Sequence, residues 1–410
     1  MASTILLLAY YYPPQNTSGA ARPGRFAKYL PAFGHSVVVL SADDDACATI
    51  SGDLPANWRM PMPGFVQRLE GLAIALLQKI LKEHSQRLPW MAAAVPAGRA
   101  IVEQLGCTAI LSTSPPLSTH LTALRLKKHH PNLKWIADFR DPFVDSPFRN
   151  TPFHKLYDAR AERTFFEHAD VLIANTDVVA ENWKKRYPEF AAKIHVIWNG
   201  FDPAEGMAPA EPVRRPYRVL LHAGDIYGRR HPGEVLAAID RLQRKGALTP
   251  GQVRIELIGP LDPQSPLHSF PAFQHLHRQG CLYYNGKVVP QPEAQQAMQQ
   301  ADFLLLLDVN DRHQSLQVPA KIFDYIRTGR PILATTPLNS PAARILAGSG
   351  IPHTCLHFGD TEEQVDAKLL RFLRQPSSVH PPSPWFFENF DAHRQTAVLA
   401  TLLRENPSSP

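Results

Sequence analysis

The chain has 410 residues, 44% of them hydrophobic and 20% charged, with a formal net charge of +6 and a pI near 9.1. That length suits two or three domains with sizeable cores, and the composition reads as an ordinary soluble globular protein. The mildly basic balance is compatible with anionic small molecules or an anionic membrane surface; with no lysine- or arginine-rich run, it is too weak to point to nucleic acid.

The opening stretch, MASTILLLAYYYPP, has an apolar run ended by Pro13 and Pro14 and no basic residue before it. It is too short to span a bilayer and poor as a signal peptide, so a first buried strand is expected there. HSVVVLS, CTAILSTS, LKWIADF, DVLIANT and KIHVIWNG follow as further strands. Between the first two strands, AARPGRFAKYLPAFG places Phe26, Tyr29 and Leu30 on one helix face and stops at Gly34. Helical stretches separate most of the others, which predicts a doubly wound α/β domain over residues 1–200. Residues 201–216 are proline-rich and aperiodic, as an interdomain linker would be.

The alternation then restarts with YRVLLHAG, EVLAAIDRLQRKG, VRIELIG, CLYYNG, QPEAQQAMQQA, DFLLLLD, PAKIFDYIRTG and RPILATT, giving a second α/β domain over 217–384. Residues 385–410 hold an amphipathic helix, ENFDAHRQTAVLATLLREN, and a fraying end. Residues 65–82, FVQRLEGLAIALLQKILK, are apolar at helical spacing: a core-facing inserted helix is the first reading, a helix lying on anionic lipid the second. Cys47, Cys107, Cys281 and Cys355 show no CxxC and no metal spacing, and read as reduced thiols of a cytoplasmic protein.

Open α/β sheets bind ligands just outside the carboxyl ends of their strands, so the chemistry is sought in the loops there. In AGDIYGRRHPG, Gly224 and Gly228 let backbone approach a ligand, the helix start beyond Pro232 offers free N–H groups, and Arg229 and Arg230 add positive charge. In QVPAKIFDYIRTGRP a helix begun at Pro319 and ended at Gly329 carries Lys321 in its first turn. A cation there opposes the helix dipole, a conflict that a bound anion resolves. Asp324 shares its face at spacing three. The pair reads either as a surface ion pair, or as Lys321 on a diphosphate with Asp324 accepting from ribose hydroxyls. DFRDPF offers Asp138, Arg140 and Asp141, as a self-satisfied ion-pair turn or as groups that bind acceptor hydroxyls or position a transferred sugar. ADDDA at 42–46 has the acids to hold a metal–diphosphate, though a polar loop is the preferred reading.

Several of these stretches, in this order, resemble the family 4 glycosyltransferases of GT-B fold: SGAARPGR, LPAFGHSVVVLS, VIWNGFDP and VPAKIFDYIRTGRPIL. The resemblance runs over nearly the whole chain. It implies two Rossmann-like doubly wound domains facing a central cleft, with a C-terminal helix crossing back to the first. It further implies a nucleoside-diphosphate sugar donor, a glycan or lipid-linked acceptor, a role in bacterial surface polysaccharide synthesis, retention of configuration, and no metal or other cofactor. Cytoplasmic placement, with peripheral contact to an anionic membrane, goes with that role.

Residue by residue, the resemblance puts Asp324 at the second of the family's two acids, and Leu316 at the first. Asp225 stands where the family has an arginine, and Arg230 where it has a lysine; Lys321 is then the substitute for the missing charge. Ser18 and Gly19 fall near donor phosphate and acceptor. His120 is the nearest match to the family's histidine of the first domain. The turn Gly286 to Val288 matches the place where backbone meets the base. Arg230, Lys321 and His120 are thus the expected catalytic groups. Two other readings compete: a sugar-nucleotide epimerase on the same architecture, and a degenerate transferase kept as a nucleotide-sugar binding or scaffold protein, to which Leu316 and Asp225 lend some support.

Overall fold

The computed structural model describes residues 3–15, 18–42, 48–52, 69, 72–73, 87–144, 152–211, 213–228, 230–262, 265–308 and 316–405. Outside these lie most of the 65–82 stretch, the acids of ADDDA, and Arg229. The chain forms two compact units: Met1–Asp202 together with Asp391–Pro410, and Pro203–Phe390. Among the described residues, no helix is long and apolar enough to cross a membrane.

The first unit is built on seven strands: β1 Ser3–Ala9, β2 His35–Ala42, β3 Ala48–Gly52, β4 Ala109–Ser114, β5 Lys134–Phe139, β6 Val171–Ala174 and β7 Ile194–Val196. Their order is β3-β2-β1-β4-β5-β6-β7, so the winding reverses between β1 and β4. All pairs are parallel except β2 with β3. In β1, Ile5 through Ala9 are fully buried, as a strand covered on both faces must be. Helix Ser18–Tyr29 runs on into a tighter turn, Leu30–Phe33, and stops at Gly34 with φ +82°. One face of the sheet packs Ile5, Leu7, Leu111 and Ile136 with Phe26 and Leu30 of that segment and with Leu399, Ala400 and Leu402 of helix Ala392–Arg404. The C-terminal helix therefore crosses back onto the first sheet. Asp391 caps it, accepting from the His393 and Arg394 backbone N–H groups at 2.7 and 3.2 Å.

The second unit holds six strands, all parallel: β8 Arg218–Ala223, β9 Val253–Ile258, β10 Leu282–Tyr284, β11 Phe303–Leu307, β12 Ile332–Thr336 and β13 His353–His357. Their order is β10-β9-β8-β11-β12-β13, reversing between β8 and β11. Leu220, Ile255, Leu257 and Leu305 pack against Leu236 and Ile239 of helix Gly233–Arg244 and Phe372 of helix Glu362–Arg374. The proline-rich stretch beyond Asp202 is tied to this unit through its carbonyls. Arg327 donates to Glu205 O, Arg330 to Ala210 O and to Gln299 O (2.6 Å), and Gln299 to Ala208 O at 3.0 Å.

Candidate functional site

At the reversal between β8 and β11, three loops of the second unit are drawn together. Gly224 follows β8 with φ +133°, and Gly259 follows β9 with φ +131°. A Cβ on Gly259 would stand 2.5 Å from the Gly224 carbonyl oxygen, so the close approach of the two loops requires glycine there. Asn285, just past β10, accepts through Oδ1 from Gly259 N–H at 2.9 Å and from Lys287 N–H at 3.3 Å. From the other side, Tyr325 on helix Lys321–Arg327 accepts the Ala223 N–H on its hydroxyl at 2.9 Å. That bond holds the helix against the end of β8.

Its first residue, Lys321, lies directly over Gly224: a Cβ on that glycine would be 1.8 Å from Lys321 Cε and 2.3 Å from Nζ. Burial, and then the nearby Arg230 charge, push the Lys321 pKa down against the pull of Asp225 and Asp324. Among the described residues its ammonium has no hydrogen bond and no acid within ion-pair distance. Arg230 spends Nη1 on the Tyr227 hydroxyl at 2.9 Å and keeps a buried, unpaired Nε. Beneath them His222 is buried with Nδ1 2.9 Å from Leu305 O. Burial first, and Lys321 next, lower its pKa to about 3, so it stays neutral. Two cations thus lie close together over glycine backbone, with Lys321 partly desolvated and only the more distant Asp225 and Asp324 opposing them among the described residues.

Asp324 is half-buried one turn along the helix, and its carboxylate is 3.9 Å from Arg327 Nη1. The surface pair with Lys321 is not formed. The expected helix start at Pro319 is a tight turn, with Ile322 N–H on Pro319 O at 3.0 Å; the helix proper has only seven residues. Leu316 is 9% exposed and Asp225 is exposed. Gly286 turns with φ +62°. Val288, in the same turn, is 77% exposed.

In the first unit, the groups expected around the acceptor are mostly occupied by the protein itself. Asp138, 0% exposed at the end of β5, receives Arg22 Nε and Nη2 at 2.7–3.2 Å and the Thr113 hydroxyl at 2.9 Å. Arg22 also donates to Ile197 O and Trp198 O at 2.8 and 2.6 Å, stapling the helix Ser18–Tyr29 to two strand ends. Arg140 is buried and donates to the carbonyls of Gly19, Ser114 and Pro115. A Cβ on Gly19 would stand 2.6 Å from Arg140 Nη1, which accounts for glycine there. Asp138 is therefore taken up by the Arg22 and Thr113 side chains and Arg140 by backbone carbonyls, correcting the expectation that they hold acceptor hydroxyls. Asp141 is half-buried and acts on Arg140. Ser18 begins its helix, and its side chain lies outside the described ones.

His120 is corrected as well. It is 0% exposed among Phe139, Phe165, Phe143 and Trp135, with Nδ1 2.8 Å from Ser112 Oγ. Burial and Arg140 lower its pKa to about 3. A neutral imidazole sealed in an aromatic box reaches no substrate. Asn285, Gly259 and Tyr325 were absent from the expected set. The only sign of them in the sequence is position: a glycine and an asparagine at strand ends, and a tyrosine four residues after Lys321.

Residues 24–205 match the sequence family described as Glycosyltransferase Family 4. No curated protein matches the chain. Among solved structures, the chain resembles a UDP-forming alpha,alpha-trehalose-phosphate synthase from Burkholderia vietnamiensis (TM-score 0.61, 11% identity, covering 98% of this chain and 99% of that one). It also resembles the lipopolysaccharide outer core galactosyltransferase WaaB (0.60, 13%, 98% and 100%). A third is HepE of Anabaena, solved with UDP and glucose (0.58, 13%, 98% and 99%). The likeness to these structures shows the fold, two parallel-sheet units of GT-B type, and the family match lies within the first unit and the start of the second.

Proposed function

We propose that this protein is a glycosyltransferase that moves a sugar from a nucleoside-diphosphate sugar to a glycan or lipid-linked acceptor, with retention, in the building of a bacterial surface polysaccharide. The observation that carries the donor class is Lys321 laid over Gly224 beside Arg230, with no acid in contact with either among the described residues. Breaking the anomeric C–O bond leaves growing negative charge on the departing diphosphate. Two cations already fixed close together, with Lys321 partly desolvated, stabilise that charge more in the transition state than in the bound donor. This reading needs no metal ion. Asp324 receives the ribose hydroxyls and fixes the donor's position, and the backbone of the 286–288 turn meets the base. The neighbour solved with UDP and glucose supports the same donor class. The basic balance of the chain supports peripheral contact with an anionic membrane on the cytoplasmic side.

The test is a thermal-shift panel of UDP, GDP, ADP and dTDP on wild type and Asp324→Ala. A ligand that binds only the native state raises the melting temperature by mass action. A shift with wild type that is lost in the variant is expected; no shift with any nucleotide would sink the donor site. Leu316 and Asp225 at positions where the family has an acid and an arginine favour a second reading, a nucleotide-sugar binding protein without turnover. Release of free nucleoside diphosphate from a donor sugar separates the two.

A further inference from the structure

The Asn285 side chain is pinned at one end only. Its Oδ1 accepts from two backbone N–H groups, Gly259 at 2.9 Å and Lys287 at 3.3 Å. Both partners are donors, so the amide orientation is fixed: oxygen toward the loops, NH2 away from them. Among the described residues the Nδ2 group has no acceptor, and it is not sealed from solvent, in a residue that is half-buried. Among the described residues, then, a rigidly held amide donor without a partner stands at a strand end, the side of an open α/β sheet at which ligands bind.

Its place in the second unit is defined by neighbours. Asn285 bonds Gly259, Gly259 backs onto Gly224, and Lys321 lies over Gly224. Asn285 follows β10 and Gly224 follows β8, two strand spacings apart, or about 10 Å. A nucleoside diphosphate bridges such a span, with its phosphates at Lys321 and its base at the 285–288 turn. A single NH2 donor there complements the base edge that carries O4 of uracil or thymine, or O6 of guanine. At the same edge position, adenine and cytosine present the N6 or N4 amino group, which would face another donor.

We propose that Asn285 is a specificity-determining residue, whose amide NH2 selects donors whose base carries a carbonyl at C4 or C6 (uracil, thymine, guanine) over those with an amino group there (cytosine, adenine). The proposal rests on the donor-site reading above. The informative variant is Asn285→Asp, which keeps an oxygen for Gly259 and Lys287 but removes the donor. Its added charge acts on every diphosphate alike, so the quantity to measure is the ratio of ADP to UDP dissociation constants by titration calorimetry. Wild type is expected to prefer UDP. In Asn285→Asp the ratio falls about tenfold, the worth of one hydrogen bond, with the melting temperature of the free protein unchanged. An unchanged ratio in this variant, or a wild type that binds ADP as tightly as UDP, overturns the proposal and leaves the donor site standing. A wild type that binds no nucleotide fails the donor site itself. Asn285→Ala, which also releases the turn, is expected to weaken all nucleotides; if it does so while Asn285→Asp keeps the wild-type ratio, Asn285 only shapes the turn and the proposal falls.

Discussion

Replacing Lys321 with methionine separates a binding cation from a structural one. The methionine keeps an apolar chain of similar reach over Gly224 and removes the charge. In the free protein that charge is held at a cost: burial and Arg230 outweigh Asp225 and Asp324, which is why the Lys321 pKa falls. Its removal is therefore expected to leave the melting temperature unchanged or to raise it. With nucleotide bound the balance reverses. A hydrogen bond to a charged partner contributes about 1.5–3 kcal/mol, so Lys321→Met should weaken UDP binding about 10- to 150-fold. Calorimetry for affinity and a thermal melt without ligand are sufficient. A variant that binds UDP like wild type refutes the reasoning. So does one whose free form melts several degrees lower, since the ammonium would then be stabilising the fold.

Other outcomes follow from the same geometry. Gly224→Ala puts a methyl group 1.8 Å from Lys321 Cε at a φ of +133°; it should abolish nucleotide-induced thermal shifts, and retention of them would show that Lys321 moves aside freely. Asp138→Ala leaves Arg22, 3% exposed, without its buried partner. Urea unfolding should show a loss of about 3–5 kcal/mol, whereas a stable variant with weakened acceptor binding would restore Asp138 to the acceptor site. His120 and His222 have pKa values of about 3 in the folded state, below the unfolded value near ~6.5. The unfolded chain thus binds more protons, and stability falls with pH only from about 6.5 down toward 3. Each histidine adds a slope of about 1.4 kcal/mol per pH unit in that window. Urea titrations at pH 7.5 and 5 on wild type and His120→Phe should show a shallower loss in the variant, and equal losses would mean that His120 protonates in place.

The central strands were legible because parallel strands covered on both faces are unbroken apolar runs, as in STILLLA and FLLLL. The edges were not. β13 reads HTCLH, with only Leu356 fully buried, and β3, ATISG, pairs antiparallel to β2. Nothing in their composition exceeds what a loop would show. In the second unit, Lys321 was marked as a cation in an unfavourable place, and the structure supplies a different physical cause. The helix is too short for its dipole to matter much; desolvation and Arg230 create the tension. Asp138, Arg140 and His120 were misjudged because a charged or titratable residue at a strand end reads the same whether it faces solvent or a partner. The partner of Asp138 is 116 residues away in the sequence, and the cage around His120 comes from two other elements. Asn285 was passed over for the same reason: in the sequence it is half of an ordinary Asn-Gly turn, and its bond to Gly259 spans 26 residues.

The first unit is discontinuous, closed by residues 391 onward after the whole second unit has intervened. A ribosome therefore delivers the two units in an order opposite to their completion. The second unit is one uninterrupted stretch and has all its strands before the helix Ala392–Arg404 emerges. The first sheet, made earlier, waits with the apolar face of Phe26 and Leu30 uncovered until Leu399, Ala400 and Leu402 arrive. Each buried leucine contributes about 1.5–3 kcal/mol. A premature stop shortly before residue 391 would thus release a chain whose later-made half is sound and whose earlier-made half is sticky. For this fold, the helix Ala392–Arg404 decides whether the sheet made before the second unit stays in solution.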